Sequence, residues 1–139
     1  MADTEQTILA LAARLLTAIE TVNLDEIRRC YCEDARIWHN FDNIDQTVEE
    51  NLKTFLWMQG AMSDIKYDVR RRFAFPGGYV QQHVLTAKRA DGKAFAIPAC
   101  VVVTVKDGRI SRLEEYLDPA PALAPAASAT GEAAGVESA

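Results

Sequence analysis

The sequence predicts an α+β fold in which a helical first half is followed by an antiparallel meander. Apolar residues recur at helical spacing up to about residue 62, and after Ser63 they alternate with polar residues. Three glycine-containing turns, PGG at 76–78, ADG at 90–92 and KDG at 106–108, divide the second half into four strands. Helices followed by hairpin-connected strands are typical of one α+β domain, and 139 residues are enough to form it.

The helices follow from their apolar stripes. The first runs over about residues 4–21, and Asn23 after it is a suitable N-cap for a second helix that continues to about Glu33. A third helix covers about residues 46–62. The apolar residues expected to bury the first and third helices are Ile8, Leu11, Ala12, Leu15, Leu16, Ile19, Val48, Leu52, Phe55 and Leu56.

A short strand, ARIWHN at 35–40, lies between the second and third helices, and the loop FDNID follows it. Possible caps for the third helix in this loop are Asp42, Asn43 and Asp45. The strand is unusual because Trp38, His39 and Asn40 stand together where Val, Ile or Thr are common. Since strand neighbours point to opposite faces, His39 lies on one face, and we expect Trp38 and Asn40 on the other.

The four later strands are predicted over residues 65–75, 79–89, 93–105 and 109–118. Pro98 stands inside the third of them. Because proline cannot donate to a strand ladder, we expect a bulge or a sheet edge there. The three arginines at 70–72 are expected to alternate across the first strand and to reach solvent.

Composition excludes several classes of protein. There are 15 basic and 20 acidic residues, and the only basic run is at 70–72, so no nucleic-acid partner is expected. The N-terminus lacks the basic start of a secretory leader, and no apolar run approaches the ~20 residues of a membrane span. Cys30, Cys32 and Cys100 form no CxxC pair and fit reduced packing residues, so we expect a cytoplasmic location.

We expect one domain over residues 1–118 and a mobile tail over residues 119–139. The tail is rich in Ala and Pro, with two acids and no basic residue. It cannot bury a face of its own. Truncation after about residue 122 should therefore leave the melting temperature nearly unchanged.

Two segments resemble one known superfamily. CYCEDARIWHN at 30–40 resembles the Tyr-x-x-Asp-Ala helix end and following strand of the nuclear transport factor two-like, or SnoaL-like, superfamily. VVVTVKDGRISRLEEYLD at 101–118 resembles its closing hairpin. The resemblance covers about residues 4–118 and implies a cone-shaped α+β barrel, with three N-terminal helices packed on a strongly curved antiparallel sheet around a deep apolar pocket. The superfamily includes ketosteroid isomerases, scytalone dehydratase, limonene epoxide hydrolase and polyketide cyclases, so the fold alone does not define the reaction.

The resemblance also implies where a ketosteroid isomerase site would lie. The catalytic aspartate of those enzymes comes five residues after the Asp of the Asp-Ala pair, and counting from Asp34 gives His39. Their phenol falls at Leu15 and their protonated acid near Val101. Without those donors an oxyanion hole of that type is missing.

The epoxide hydrolases of the superfamily use an Arg-x-Asp pair on one strand and an Asp on the last strand. These positions look like Gln81, His83 and Glu115. Only the acid of the last strand is kept, so that activity is not expected here either.

The hairpin turns decide which side chains share the pocket face. Three-residue loops with a bulged glycine place Arg89 opposite Lys93 and Val105 opposite Arg109. The pairs on the pocket face are then Gln81 with Val101, His83 with Ala99, Val101 with Leu113, and Ala99 with Glu115, in agreement with the resemblance. Two-residue Asp-Gly turns would pair His83 with Cys100 and Val101 with Glu114 instead.

The candidate catalytic residues are therefore His39, His83 and Glu115. The candidate substrate-binding residues are Leu15, Trp57, Gln81, Val101 and Leu113. Two imidazoles and a carboxylate on an apolar concave surface suit proton transfer.

Either histidine could instead be a satisfied core residue, with His83 bonded to Glu115 and filling the barrel. A metal is possible in ligand type and number, but no close spacing such as His-x-His supports it, so neither a metal nor another cofactor is expected.

Two functions of different classes remain open. The first is a small cofactor-independent enzyme that isomerises, dehydrates, cyclises or hydrolyses an apolar oxygenated molecule. The second is a non-catalytic module that holds an apolar ligand or a partner protein in the same cone. We also expect a homodimer through the outer face of the sheet, which carries Cys100, Val102 and Thr104, because the superfamily commonly pairs this way and the face is unusually apolar.

Overall fold

The computed structural model describes residues 3–123. Within this range the chain forms three α-helices, six β-strands and one 3₁₀ turn. They are α1 (Glu5–Glu20), α2 (Leu24–Cys30), β1 (Tyr31–His39), β2 (Ile44–Gln46), α3 (Val48–Ala61), β3 (Ser63–Phe75), β4 (Gly78–Lys88), β5 (Ala94–Lys106), β6 (Arg109–Leu117) and the 3₁₀ turn Ala120–Ala122. None of the described helices is long and apolar enough to cross a lipid bilayer.

The six strands form one open sheet in the order β2-β1-β6-β5-β4-β3. Strands β3 to β6 are an antiparallel meander, as predicted. β1 pairs with β6 in parallel, so the sheet is mixed. The α+β class and the cone type of fold are confirmed.

The second helix is shorter than predicted. α2 ends at Cys30, and Tyr31 already pairs with Ile110 of β6. Tyr31 fits both the apolar stripe of the helix and the alternation of the following strand. It belongs to the strand in the structure, because Tyr31, Ala35 and Ile37 are all buried against the sheet.

The helix caps differ in part from the prediction. Asn23 caps α2 as expected, by accepting from Glu26 N. The cap of α3 is Thr47 rather than an acid or amide of the preceding loop. Its hydroxyl accepts from Glu50 N, and the Glu50 carboxylate accepts from Thr47 N, which completes a capping box.

The core lies between α1, α3 and one face of the sheet. Its most deeply buried members include Ile37, Tyr79, Val103 and Ile110. The expected burial of α3 is wrong for Leu56, which is exposed, whereas Val48 and Leu52 are buried. α3 therefore contributes its fully buried residues from its N-terminal half, and Phe55 packs partly buried against the same core.

The register between β4 and β5 is the predicted one. His83 lies opposite Ala99 and Gln81 opposite Val101. The three-residue loop also forms as predicted, because Arg89 N donates to Lys93 O at 2.9 Å and Gly92 takes a φ of 87°.

The register between β5 and β6 was predicted wrongly by two residues. Asp107 and Gly108, with φ of 52° and 78°, form a two-residue turn, so Lys106 pairs with Arg109. Ser111 is then an extra residue in β6, and the bulge shifts the pairing by one more position.

The two one-residue changes restore the predicted faces. Val101 lies opposite Glu115 instead of Leu113, and Ala99 lies opposite Leu117 instead of Glu115. Because the total shift is even, Glu115 still points to the helix-covered face.

Pro98 lies at a local edge, one of the two predicted possibilities. Its pairing with Val84 of β4 is regular, but the pairing of β5 with β6 stops at Ala99. The 3₁₀ turn packs near this end of β5, and Arg89 Nη1 donates to Leu123 O at 3.0 Å. Residues 119–123 thus contact the domain, and the prediction of a mobile tail concerns residues that lie mostly outside the described range.

Candidate functional site

A single row of paired residues crosses five strands on the helix-covered face. It runs from β1 to β3 through His39, Glu115, Val101, Gln81 and Arg72. His83 lies one pair further along β4, opposite Ala99. Backbone pairing alone therefore brings five polar side chains from four strands onto one surface.

Glu115 lies between the two imidazoles. His39 Nε2 is 3.2 Å from its Oε1, and His83 Nε2 is 3.5 Å from its Oε2. The side chains of His39, Glu115 and His83 are 15%, 19% and 6% exposed. The structure thus unites the three predicted catalytic residues in a cluster that is largely shielded but still reachable.

Gln81 connects this cluster to an arginine that the sequence analysis assigned to solvent. Arg72 Nε donates to Gln81 Oε1 at 2.8 Å. An arginine can only donate, so the oxygen of the Gln81 amide faces Arg72 and its nitrogen faces His83. Gln81 Nε2 lies 3.0 Å from His83 Nδ1.

This relay fixes the tautomer of His83. Because Gln81 Nε2 is a donor, His83 Nδ1 must be the acceptor, and the ring proton is left on Nε2, next to Glu115. Arg72 therefore positions the proton of His83 through Gln81. In this arrangement the Nε2–H of His83 faces the carboxylate at 3.5 Å, and His83 is not a free base.

His39 has a different environment. Its Nε2 faces Glu115, while its Nδ1 has no partner within residues 3–123 and is not sealed from solvent. The ring of Phe41 lies 5.3 Å away, centroid to centroid. Nδ1 of His39 is thus the nitrogen of the cluster that can exchange a proton with a bound molecule.

Glu115 is held in its ionised form. Burial raises the pKa of its carboxyl, but the contacts and charges of His39 and His83 outweigh burial and bring the pKa down to about 2. The carboxylate is therefore a fixed negative charge at neutral pH. It can orient and stabilise an imidazolium but does not itself donate a proton.

Tyr67 adds a phenol that sequence analysis did not consider. Its ring packs edge-on against His83, with centroids 5.7 Å apart. Burial raises the pKa of Tyr67, and the charge of Glu115 raises it further, so the phenol is neutral.

The predicted apolar residues divide into two groups. Leu15, Val101 and Leu113 are buried on the helix-covered face. Trp57 is 67% exposed on α3, so its place in a substrate site stays a prediction. Two surface depressions of about 400 and 330 Å³ lie along α1 and at its N-terminal end, away from His39 and Glu115. The deep pocket also stays a prediction.

The neighbours of His39 in the sequence have structural roles. Trp38 packs on Tyr116 at 5.2 Å on the outer face and donates from Nε1 to Asn43 Oδ1 at 2.7 Å. Asn40 Oδ1 accepts from Leu117 N at 2.9 Å and so extends the pairing of β1 with β6. Of the three unusual residues, only His39 faces the cluster.

Arg72 was missed although a signal was present. The tight Pro76–Gly77 turn pairs Phe75 with Gly78, and counting back along the hairpin puts Arg72 opposite Gln81. A bulge at Arg70 then follows. The expectation that all three arginines reach solvent is wrong for Arg72, whereas Arg70 pairs with Asp68 on the exposed surface.

No group of three or more metal-ligating side chains occurs in the described part of the chain. The three cysteines have free thiols, with Cys30 buried and the other two partly exposed.

Comparison with known proteins identifies the type of domain. A SnoaL-like domain model matches residues 12–113. An epoxide hydrolase of the LEH-like type from M. tuberculosis has a TM-score of 0.70 at 16% identity, covering 85% of this chain and 87% of that one. IdmH of Streptomyces antibioticus, a candidate polyketide cyclase, has a TM-score of 0.74 at 17% identity, covering 81% and 93%.

A third similar structure is a protein of ketosteroid isomerase-like fold from Catenulispora acidiphila in complex with trimethylamine. Its TM-score is 0.73 at 10% identity, and the match covers 81% of this chain and 88% of that one. No curated protein matches the chain. At these identities the structural neighbours show the fold alone.

Proposed function

The chain belongs to the SnoaL-like family, and from this premise we propose that it is a small-molecule enzyme that transfers protons on an apolar, oxygenated substrate without a cofactor. The reaction class is isomerisation, dehydration, cyclisation or hydrolysis. The neighbours named for epoxide hydrolysis and polyketide cyclisation fall within this class. The observation that carries the proposal is the shielded His39–Glu115–His83 cluster.

In this proposal His39 is the general base and acid. Its Nδ1 takes a proton from a carbon, hydroxyl or water, and the resulting imidazolium keeps its Nε2–H next to Glu115 Oε1 at 3.2 Å. The fixed charge of Glu115 stabilises that imidazolium, because the contact lies in a poorly solvated site. His39 then returns the proton to the product or leaving group, so the protons balance over the cycle.

His83 has a supporting role. Its Nε2–H lies 3.5 Å from Glu115 Oε2 and helps to hold the carboxylate in place. The two histidines differ in role because their surroundings differ. Gln81 occupies Nδ1 of His83, whereas Nδ1 of His39 has no partner within residues 3–123.

The test is a two-step screen of small apolar ketones, epoxides and polyphenols. Binding is measured by thermal shift, and each binder is then incubated with protein and analysed for products by mass spectrometry. We expect wild type to convert at least one binder, His39→Gln to bind it with turnover lowered by roughly 10²-fold or more, and the exposed control Glu33→Gln to behave as wild type.

Two other outcomes would decide against the proposal. Binders that wild type never converts would favour the non-catalytic module. Equal turnover in wild type and His39→Gln would show that another group moves the proton.

A further inference from the structure

Arg72 has a buried donor with no acceptor among the described residues. Its Nη2 is enclosed and has no hydrogen-bond partner within residues 3–123. Within these residues Arg72 makes one hydrogen bond, in which Nε donates to Gln81 Oε1. An unpaired buried donor on a charged group is unfavourable, so this group points to a partner other than the residues 3–123, such as a bound molecule.

The terminal fork of Arg72 is suited to a carboxylate. Nη1 also lacks a partner among the described residues but, unlike Nη2, is not enclosed, so a bound group can reach the Nη1–Nη2 edge only from the Nη1 side. Two parallel N–H groups on one edge match the two oxygens of a carboxylate. The side chain as a whole is only partly exposed, which strengthens such a contact.

The charges nearby favour a single negative charge. Glu115 is already contacted by two imidazoles, and Arg72 has no acidic partner within residues 3–123. The neighbouring arginines serve other contacts: Arg70 pairs with Asp68, and Arg71 lies over the ring of Phe73. The single positive charge of Arg72 balances the one negative charge of a carboxylate, but only half the charge of a doubly charged phosphate.

We propose that Arg72 binds a carboxylate of the substrate, so that the substrate class is an elongated apolar carboxylic acid. This inference rests on the proposed function, because it assigns the second polar contact of the same site. Arg72 lies three strands from Glu115, ~14 Å along the sheet. The residues of the row between them, Val101 and Gln81, are buried, so a molecule that contacts both requires the helices to move apart from this face of the sheet.

Octanoate and octanamide test the inference, since they share a shape and differ in charge. By calorimetry at neutral pH we expect wild type to bind octanoate at least about tenfold more tightly than octanamide. Arg72→Gln should bring the two affinities within about twofold. The matched control Arg71→Gln, on the exposed side of the same strand, should keep the wild-type preference.

Nuclear magnetic resonance covers the case in which Arg72→Gln does not fold. In wild type, octanoate should shift the Arg72 Nε–H signal and the Gln81 side-chain amide, and octanamide should not. No preference in wild type, a preference that survives in Arg72→Gln, or unmoved Arg72 signals would each overturn the inference.

Failure of the inference and failure of the proposed function can be distinguished. His39→Gln should keep the octanoate preference although it lowers turnover. A preference for octanoate in a protein without any turnover would support the Arg72 site on a binding module. Turnover without a preference for octanoate would support the proposed enzymatic function and reject the carboxylate site at Arg72.

Discussion

Glu115 and His83 contact each other although their strands are not adjacent. Glu115 is on β6 and His83 on β4, and β5 runs between them. The residues of β5 at this point are Ala99 and Val101, whose side chains are too short to separate the two polar groups. Because the residues of β5 are small and apolar here, Glu115 can contact His83 across β5 as well as His39 on the adjacent strand β1.

Replacing Glu115 by Gln should reduce stability in a pH-dependent way. The pKa of Glu115 is about 2 in the folded protein, against an ordinary value of 4.5 that applies to the unfolded chain. The ionised carboxylate therefore stabilises the fold fully above pH 4.5. That stabilisation is lost as the pH falls from 4.5 towards 2. Urea unfolding should show a loss of about 2–3 kcal/mol for Glu115→Gln at pH 7 and a loss roughly half as large at pH 3.

The adjacent carboxylate is the matched control for this experiment. Glu114 points to the outer face and pairs there with Arg112 at 2.8 Å. Because exposed ion pairs contribute little, Glu114→Gln should change the free energy of unfolding by less than about 1 kcal/mol at either pH. A loss for Glu115→Gln that is the same at pH 7 and pH 3 would contradict the assigned charge state.

Removing the amide of Gln81 should release the tautomer of His83. In wild type, nitrogen shifts of the imidazole should report a protonated Nε2 and an unprotonated Nδ1 at neutral pH. Gln81→Met keeps the length of the side chain but cannot donate to Nδ1, so a mixture of tautomers is expected. Gln82→Met, on the exposed face of the same strand, should leave the His83 spectrum as in wild type; a wild-type spectrum with the proton on Nδ1 would refute the relay.

The sequence allowed the fold to be predicted because its local signals agree with one another. Alternation after Ser63 and the glycine turns identify the meander, and all four strands occur. Where two patterns coincide, as at Tyr31, the local pattern could not decide, and pairing with Ile110 did. Strand β2 was missed because three residues of a loop join the sheet only through their pairing with β1.

The polar residues of the cluster were correctly predicted to share one face, but their contacts were not predicted. His39, Glu115 and Gln81 share a face whichever even shift applies, so the error in the β5–β6 register did not remove them. The position of Arg72 opposite Gln81 follows from the Pro76–Gly77 turn and could have been predicted, whereas local sequence does not specify the bulge at Arg70 that comes after it. The direction of the His83 proton required side-chain distances that no sequence pattern contains.

The outer face of the sheet should pair with a second copy of the chain. A row of mostly apolar residues crosses it from Trp38 through Glu114, Val102 and Val80 to Phe73, with Tyr116 beside Trp38. Phe73 and Tyr116 are exposed in the single chain. Such a surface is more apolar than a solvated sheet face needs to be.

Sedimentation should therefore show a dimer at micromolar concentration. Val102→Lys places a charge in the centre of the row and should give a monomer with unchanged far-ultraviolet circular dichroism. Ala13→Lys adds the same charge on the exposed side of α1 and should leave the dimer intact. A wild-type monomer at that concentration would reject the interface.

Replacing Val22 by Gly should stabilise the protein. Val22 follows α1 with a φ of 52°, in a Schellman motif where Asn23 N donates to Ala18 O and Val22 N donates to Ile19 O. A branched side chain in this left-handed conformation costs about 1–2 kcal/mol, and Val22 is 40% exposed, so burial of the side chain offsets little of that cost.

Glycine removes the strain but gives the unfolded chain more freedom, so we expect a net gain of about 0.5–1 kcal/mol in urea unfolding with an unchanged m-value. Val22→Ala retains the β-carbon and should gain less, because the close approach of that carbon to the following carbonyl oxygen is the source of the strain. If Val22→Gly were less stable than wild type, packing of the valine against its surroundings would outweigh the backbone strain.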